Sequence, residues 1–187
     1  MNPRVVIAPH SNERVRDWPA GHVRQLAILC VERLDAIVEF VGSRAQRHSV
    51  NTMIRALPAD RYVNRCGLLS WEQSGSLMRT AACVVSNDTG IGHSAAQLGV
   101  PVVSVFSAKH SPLEWMPRGP HVSVLIRRTA CSLCGVFGNS VADCPHDLRC
   151  LADIAPSDVF EEIRRLIVRP PRPADALAGQ NPVPSAP

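Results

Sequence analysis

Ser86-Asn87-Asp88-Thr89-Gly90-Ile91-Gly92-His93-Ser94-Ala95-Ala96-Gln97-Leu98-Gly99-Val100-Pro101 is the stretch whose reading decides the fold. The apolar run Cys83-Val84-Val85 feeds into it, and Val102-Val103-Ser104-Val105-Phe106 follows it. The pattern reads as strand, tight polar turn, short helix, strand. Gly99 is placed to end the helix, and Pro101 prevents its continuation. The turn sets Asp88, the Thr89 hydroxyl, Gly90 and His93 beside the first free N–H groups of that helix. Such a corner suits a phosphate, because a helix N-terminus carries partial positive charge and unpaired donors. The same residues also serve an ordinary capped helix start, since Asp and Thr are common caps and Gly fits any tight turn.

The flanking chain repeats the alternation. Arg4 to Ala8 reads as a buried strand, followed by a polar loop from Pro9 to Asp17 and a helix opened by Trp18-Pro19, with Pro19 suited to its first turn. Val23, Leu26, Ala27, Cys30, Val31 and Leu34 recur at helical spacing. Ile37 to Val41 predicts a second strand, Gln46 to Leu57 a helix stopped by Pro58, and Tyr62 to Asn64 a short strand. Ser70-Trp71-Glu72-Gln73 matches a capping box, and the helix it starts carries Leu77, Met78 and Ala81 inward. Val122 to Ile126 is a further strand. Pro156 opens a last helix through Val168, with Val159, Ile163, Leu166 and Ile167 on its apolar face.

Strands alternating with helices predict an α/β domain over residues 1–168: a Rossmann-like parallel sheet with helices on both faces. Ligands of such sheets sit outside the carboxyl ends of the strands. Three polar loops gather there: Pro9 to Asp17, Gly42 to Gln46, and Asn87 to His93. Arg16 is a cation at that edge, and Gln46 is placed to hydrogen-bond a ribose or a base. Taken singly, Arg16 also reads as a solvated arginine, and Gly42 to Gln46 as an ordinary strand-to-helix turn. Residues 169–187, rich in Pro and Ala without periodicity, read as a disordered tail.

The chain has 187 residues and a formal charge of +4, enough for one domain with a real core. Its arginines are scattered and not interleaved with aromatics, so nucleic acid is not an expected partner. No apolar run is long enough to span a bilayer, and no signal peptide is legible at Met1-Asn2-Pro3-Arg4, so the cytoplasm is the expected compartment. Seven cysteines then point to free thiols or a metal site, not a disulfide framework. Cys30, Cys66 and Cys83 lie in apolar surroundings and read as core. Cys131, Cys134, Cys144 and Cys150, in a loop over 129–152, are a candidate set of thiolate ligands for a structural zinc, although the second pair is spaced more widely than most zinc knuckles. Spacing specifies no Ser-His-Asp triad, Walker loop or GxGxxG fingerprint. His10, His22, His48, His110, His121 and His146 read as surface or loop residues.

The order of these motifs resembles the C-terminal half of the family 9 glycosyltransferases, the ADP-heptose:lipopolysaccharide heptosyltransferases. The resemblance rests on Arg16-Asp17-Trp18-Pro19, Gly42-Ser43-x2-Gln46 and the Asn87-Asp88-Thr89-Gly90-x2-His93 block. Trp115-x-Pro117, the cysteine loop and Ile154-x-Pro156-x2-Val159 support it. The resemblance implies the C-terminal, donor-binding half of a GT-B fold, in which Asp88, Thr89, Gly90 and His93 contact the diphosphate and sugar of a nucleotide-sugar donor, an ADP-heptose-like one. It puts Arg16 where the family usually has a phosphate-binding lysine, and Gln46 where many members carry a ribose-binding glutamate. Ile91-Gly92 replaces a bulkier pair. The implied reaction is inverting glycosyl transfer, without a required cofactor, to a lipid-linked or lipopolysaccharide core acceptor in cell-surface glycan synthesis, in the cytoplasm or at the inner membrane. The family's acceptor-binding N-terminal domain, with its proposed base, has no counterpart in this sequence, which implies a longer parent protein, a separate chain carrying it, or lost catalysis. A non-catalytic nucleotide-sugar-binding module and another GT-B enzyme, such as a nucleotide-sugar epimerase, are the alternatives.

Overall fold

The computed structural model describes residues 2–136, 138 and 140–168. The expected tail, 169–187, lies outside the described residues. The strands are β1 (Arg4–Ala8), β2 (Ile37–Phe40), β3 (Tyr62–Asn64), β4 (Cys83–Ser86), β5 (Val102–Phe106) and β6 (Val122–Ile126). The helices are α1 (Ala20–Leu34), α2 (Arg47–Met53), α3 (Trp71–Arg79), α4 (Gly90–Gln97), α5 (Pro112–Trp115), α6 (Arg149–Ala152) and α7 (Pro156–Val168). Short 3-10 turns cover Arg14–Arg16, Arg44–Gln46 and Val141–Asp143.

The strands form one sheet in the order β3-β2-β1-β4-β5-β6, and every pairing is parallel. A parallel sheet covered on both faces needs strands that are apolar throughout. The sequence supplies this: β4 and β5 are buried at every position. Alternate residues divide between two cores. Val5, Ile7, Val38, Phe40, Val103 and Val105 pack under α1, α2 and α7, with Leu26, Val50 and Ile163. Val6, Val84 and Val102 face α3 and α4, with Met78, Ala95 and Ala96. Cys30, Cys66 and Cys83 are buried in the first core. Burial pushes the Cys30 thiol up to about 12 and that of Cys66 to about 11, so both stay protonated.

Local chemistry sets most boundaries. Ser70 and Gln73 form the expected reciprocal capping box of α3. Gly99 ends α4 at φ +71°, a conformation that suits glycine. Pro19 differs from expectation: its extended backbone makes it the N-cap of α1, outside the first turn. The helix expected over Gln46 to Leu57 is shorter, because α2 stops at Met53 and Ala56 adopts a left-handed φ of 63°. No apolar periodicity announced the single-turn helices α5 and α6. Among the described residues, no helix is long and apolar enough to cross a membrane.

Glu39 is the one carboxylate among the largest fully buried side chains. It sits in β2 between Val6 and Val63. Arg4 at 2.7 Å and Arg65 at 2.6 Å neutralise it, tying the start of β1 to the end of β3. A buried charge that loses its partners is costly, whereas the two half-exposed arginines can be rehydrated. Glu39→Gln is therefore expected to lower stability by about 2 kcal/mol, read as a shifted urea midpoint with an unchanged slope.

Candidate functional site

The site lies where the strand order reverses. The chain leaves β1 toward one half of the sheet and β4 toward the other, opening a crevice at their carboxyl ends. Asn87, buried just after β4, spans it. Its amide nitrogen donates to the Pro9 carbonyl at 2.7 Å, and its oxygen accepts from the Trp18 N–H at 3.2 Å. Trp18 is itself buried and donates its indole N–H to the Ile154 carbonyl at 3.0 Å. The loop after β1 is thus fixed at both ends before any ligand arrives.

That fixed loop presents Arg16 to the start of α4. One guanidinium nitrogen donates to Asp88 at 3.0 Å, and another lies 3.3 Å from Glu13. Glu13 in turn pairs with the buried Lys109 at 2.5 Å. Four charges therefore run Lys109, Glu13, Arg16, Asp88 across the loops after β5, β1 and β4. Burial opposes ionisation of Glu13, but the Lys109 hydrogen bond and the positive charge of Arg16 and Lys109 outweigh it and hold its carboxyl below the usual range.

Asn12, Arg16, Asp88, Thr89, Gly90 and His93 line a polar hollow of about 240 Å³. Thr89 is the N-cap of α4, yet its side chain makes no cap hydrogen bond. Its hydroxyl oxygen and the Arg16 Nε are buried without a partner among the described residues. Buried polar atoms of a folded protein are normally paired, and these two belong to residues that line the same hollow. Gly92 brings α4 down onto β4: a Cβ there would meet the Ser86 hydroxyl at 2.2 Å.

A second hollow, about 380 Å³, adjoins the first through Asn12, Thr89 and Gly90. Its far wall is Gly42, Ser43 and Gln46, and Trp71 stands at its side. The sequence reading missed Trp71; its exposure of 64% for a large aromatic was the signal, and exposure is not legible in sequence. A larger hollow, about 540 Å³, lies between α1 and α7 around Leu29, Arg33, Phe160 and Arg164. It sits on helix faces, away from the strand ends, and none of the expected site residues lines it.

Five of the expected residues, Arg16, Asp88, Thr89, Gly90 and His93, thus share one hollow, and Gln46 lines its neighbour. Two of these residues also have partners within the protein. Asp88 is buried, and its Oδ2 accepts from Arg16 at 3.0 Å, so its carboxylate orients the arginine. The Gln46 oxygen accepts the Ser43 N–H at 2.8 Å in a second capping box, which does not engage its NH2. A Cβ on Gly42 would lie 2.3 Å from that oxygen, so glycine is needed for the box.

His10 is also more than a loop residue. Its ring bridges Asp17 at 2.9 Å and Ser49 at 3.0 Å, an Asp-His-Ser chain that sequence spacing did not reveal. The loop cysteines, by contrast, do not form a ligand set. Among the described residues, no three His, Cys, Asp or Glu side chains are placed to hold a metal. Burial raises the Cys150 thiol against a backbone hydrogen bond, and neighbouring Cys144, Cys131 and Cys134 add to the rise. The four share a region, but no three of them are placed to hold one metal ion.

A doubly wound parallel sheet with a polar hollow at its switch point defines a Rossmann-like α/β domain. The chain belongs to glycosyltransferase family 9 (heptosyltransferase), whose family model matches residues 1–142. It is 28% identical over 155 residues to lipopolysaccharide heptosyltransferase 2 of Escherichia coli K12, an alignment covering 81% of this chain and 43% of that protein. The structure of E. coli ADP-heptose lps heptosyltransferase II superposes with a TM-score of 0.74 at 23% identity, covering 90% of this chain and 47% of that one. E. coli heptosyltransferase WaaC with ADP-2-deoxy-2-fluoro heptose gives 0.64 at 19% identity, covering 88% and 43%. These structures share the α/β fold seen here. The chain spans less than half the length of these relatives.

Because the folded pKa of Glu13 lies below its unfolded value, its ionisation stabilises the fold fully above the ordinary glutamate pKa. That contribution disappears as pH falls through the lower folded value. Glu13→Gln should therefore be less stable than wild type at neutral pH, with the gap closing between about pH 5 and pH 3. Thermal melts of both proteins across that range measure it.

Proposed function

We propose that this chain is the donor-binding domain of an inverting glycosyltransferase and that the crevice at β1 and β4 takes an ADP-sugar, ADP-heptose or a close relative. The observation that carries this is the pair of unpartnered buried donors, Thr89 Oγ1 and Arg16 Nε, in one hollow at the start of α4. A diphosphate there would accept from both and from the free N–H groups of the first turn. The adjoining hollow would take the nucleoside, with the Gln46 NH2 toward the ribose. His93, on the same wall as Gly90, would face the diphosphate or the sugar.

Transfer needs relief of negative charge on the departing diphosphate, and Arg16 with the α4 N-terminus supplies it. Asp88 and Glu13 keep the guanidinium aimed, so its orientation costs nothing at the moment of reaction. Transfer also needs a base for the acceptor hydroxyl. We assign the base to a further domain, of the same polypeptide or of a partner, which would carry a lipid-linked or lipopolysaccharide core acceptor. The reaction would run in the cytoplasm at the inner membrane surface. A zinc ion on Cys131, Cys134, Cys144 and Cys150 would require those side chains to turn toward one another; it would brace their loop and take no part in transfer. Elemental analysis of protein purified under reducing conditions tests that point.

ADP or an ADP-sugar is expected to raise the melting temperature, with UDP and GDP weaker. Arg16→Ala should weaken ADP binding by at least tenfold, and Arg16→Lys by less, since lysine keeps the charge but loses the forked geometry. No shift with any nucleotide or nucleotide sugar would overturn the reading. Capture of the Gln46 oxygen by its own helix start favours one alternative, a binding module without turnover. Glycosyl transfer by the chain, alone or with a partner domain, decides against it.

A further inference from the structure

The Asp17-His10-Ser49 chain joins the two walls of the crevice at their open end. Asp17 accepts at Oδ1 from the Ser11 N–H at 2.6 Å and the Ser11 hydroxyl at 2.9 Å, and at Oδ2 from the His10 ring. A carboxylate so engaged only accepts, so His10 Nδ1 is the donor. In the neutral ring Nε2 then accepts from the Ser49 hydroxyl. In the charged ring it donates to the same oxygen, because a hydroxyl serves either role. The bridge holds in both protonation states.

The two ends belong to different walls. His10 and Asp17 lie in the loop after β1, which also carries Asn12 and Arg16 of the phosphate hollow. Ser49 lies on α2, directly after the turn that carries Gln46. His10 itself lines the nucleoside hollow, whereas Ser49 lines neither hollow and faces a cleft of about 190 Å³ that adjoins the nucleoside hollow through His10 and Gln46. At the far end of α2, Arg24 of α1 donates to the Met53 carbonyl at 2.7 Å and the Arg55 carbonyl at 3.1 Å. The helix is therefore held at both ends, and His10 makes the tie at the pocket end. The phosphate hollow has its own supports in Asn87 and the Arg16–Asp88 pair and does not need this tie.

Building on the donor reading above, we propose that His10 is a positioning residue, braced by Asp17 and Ser49, that couples the nucleoside wall of the pocket to its phosphate wall. Ligands that touch only the phosphate hollow do not use the coupling. Ligands that span both hollows do.

Calorimetric titration of the full chain with inorganic pyrophosphate and with ADP separates the two. Ser49→Ala removes the outer end of the bridge without touching either hollow, and alanine suits a helix. It is expected to weaken ADP about five- to tenfold, the loss of roughly one hydrogen bond, and to leave pyrophosphate within about twofold. Ser49→Thr, which keeps the hydroxyl, should restore the wild-type ratio of ADP to pyrophosphate affinity. A merely structural role would lower the melting temperature and leave that ratio unchanged, and this result would overturn the proposal while the donor reading stands. An unchanged ratio with covalent labelling of Ser49 by a fluorophosphonate would replace the strut with a nucleophile. Wild-type protein that binds neither ligand would overturn the donor reading and this inference together.

Discussion

The crevice between β1 and β4 depends on one buried amide. Where a doubly wound sheet reverses direction, the loops leaving two neighbouring strands run apart, and nothing in the ladder holds them together. Asn87 closes this gap with two hydrogen bonds, one to the end of β1 and one to the entry of α1. An amide can do this because it offers a donor and an acceptor on one planar group. A carboxylate there would leave the Pro9 carbonyl unpaired, and an aliphatic side chain would strand both partners. With the loop pinned, Arg16 needs little freedom to reach Asp88, and α4 starts at a fixed distance from it.

The charged chain Lys109, Glu13, Arg16, Asp88 builds on that pin. Alternating signs let the buried Lys109 and Asp88 be compensated by the part-buried Glu13 and Arg16, which makes their desolvation tolerable. Two carboxylates and two cations balance, so the protein alone contributes little net field to the hollow. What remains unpaid lies on specific atoms: the Arg16 Nε and the Thr89 hydroxyl. On the proposed reading, the site would select by placed hydrogen-bond donors more than by bulk charge, in keeping with a chain whose formal charge is only +4.

The fold was legible because the central strands of a parallel sheet, buried on both faces, are short and largely apolar runs, and the part-buried edge segments 62–64 and 122–126 also fell on strands. Capping chemistry placed the starts of α3 and α7. Tertiary contact decided what local sequence did not. Ile54 to Leu57 continue a helical pattern, but the chain must turn there to reach β3. Residues of the site were legible as types, since Arg16, Asp88 and Thr89 fell in loops at strand ends and Gly90 and His93 in the first turn of the helix that follows. Their partnerships were not. Glu13 and Lys109 meet across 96 positions and Arg16 and Asp88 across 72, and no local pattern records such pairs. That Asp88 and Arg16 pair with each other is likewise invisible in the sequence.

That neutralisation changes what an arginine can do at this position. A lone cation would attract any anion and hold it in several poses. Arg16, with two of its nitrogens already committed to Asp88 and Glu13, presents a restricted edge of the guanidinium in one plane. On the proposed reading, a phosphate oxygen approaching that edge would also meet the Thr89 hydroxyl and the amides at the start of α4, where Gly90 has no side chain to cover them. Rigid donors of this kind favour a group whose negative charge grows in place as a bond breaks, because they need no rearrangement to meet it. The restriction is set by Asn87 and the alternating charges, before any ligand is bound.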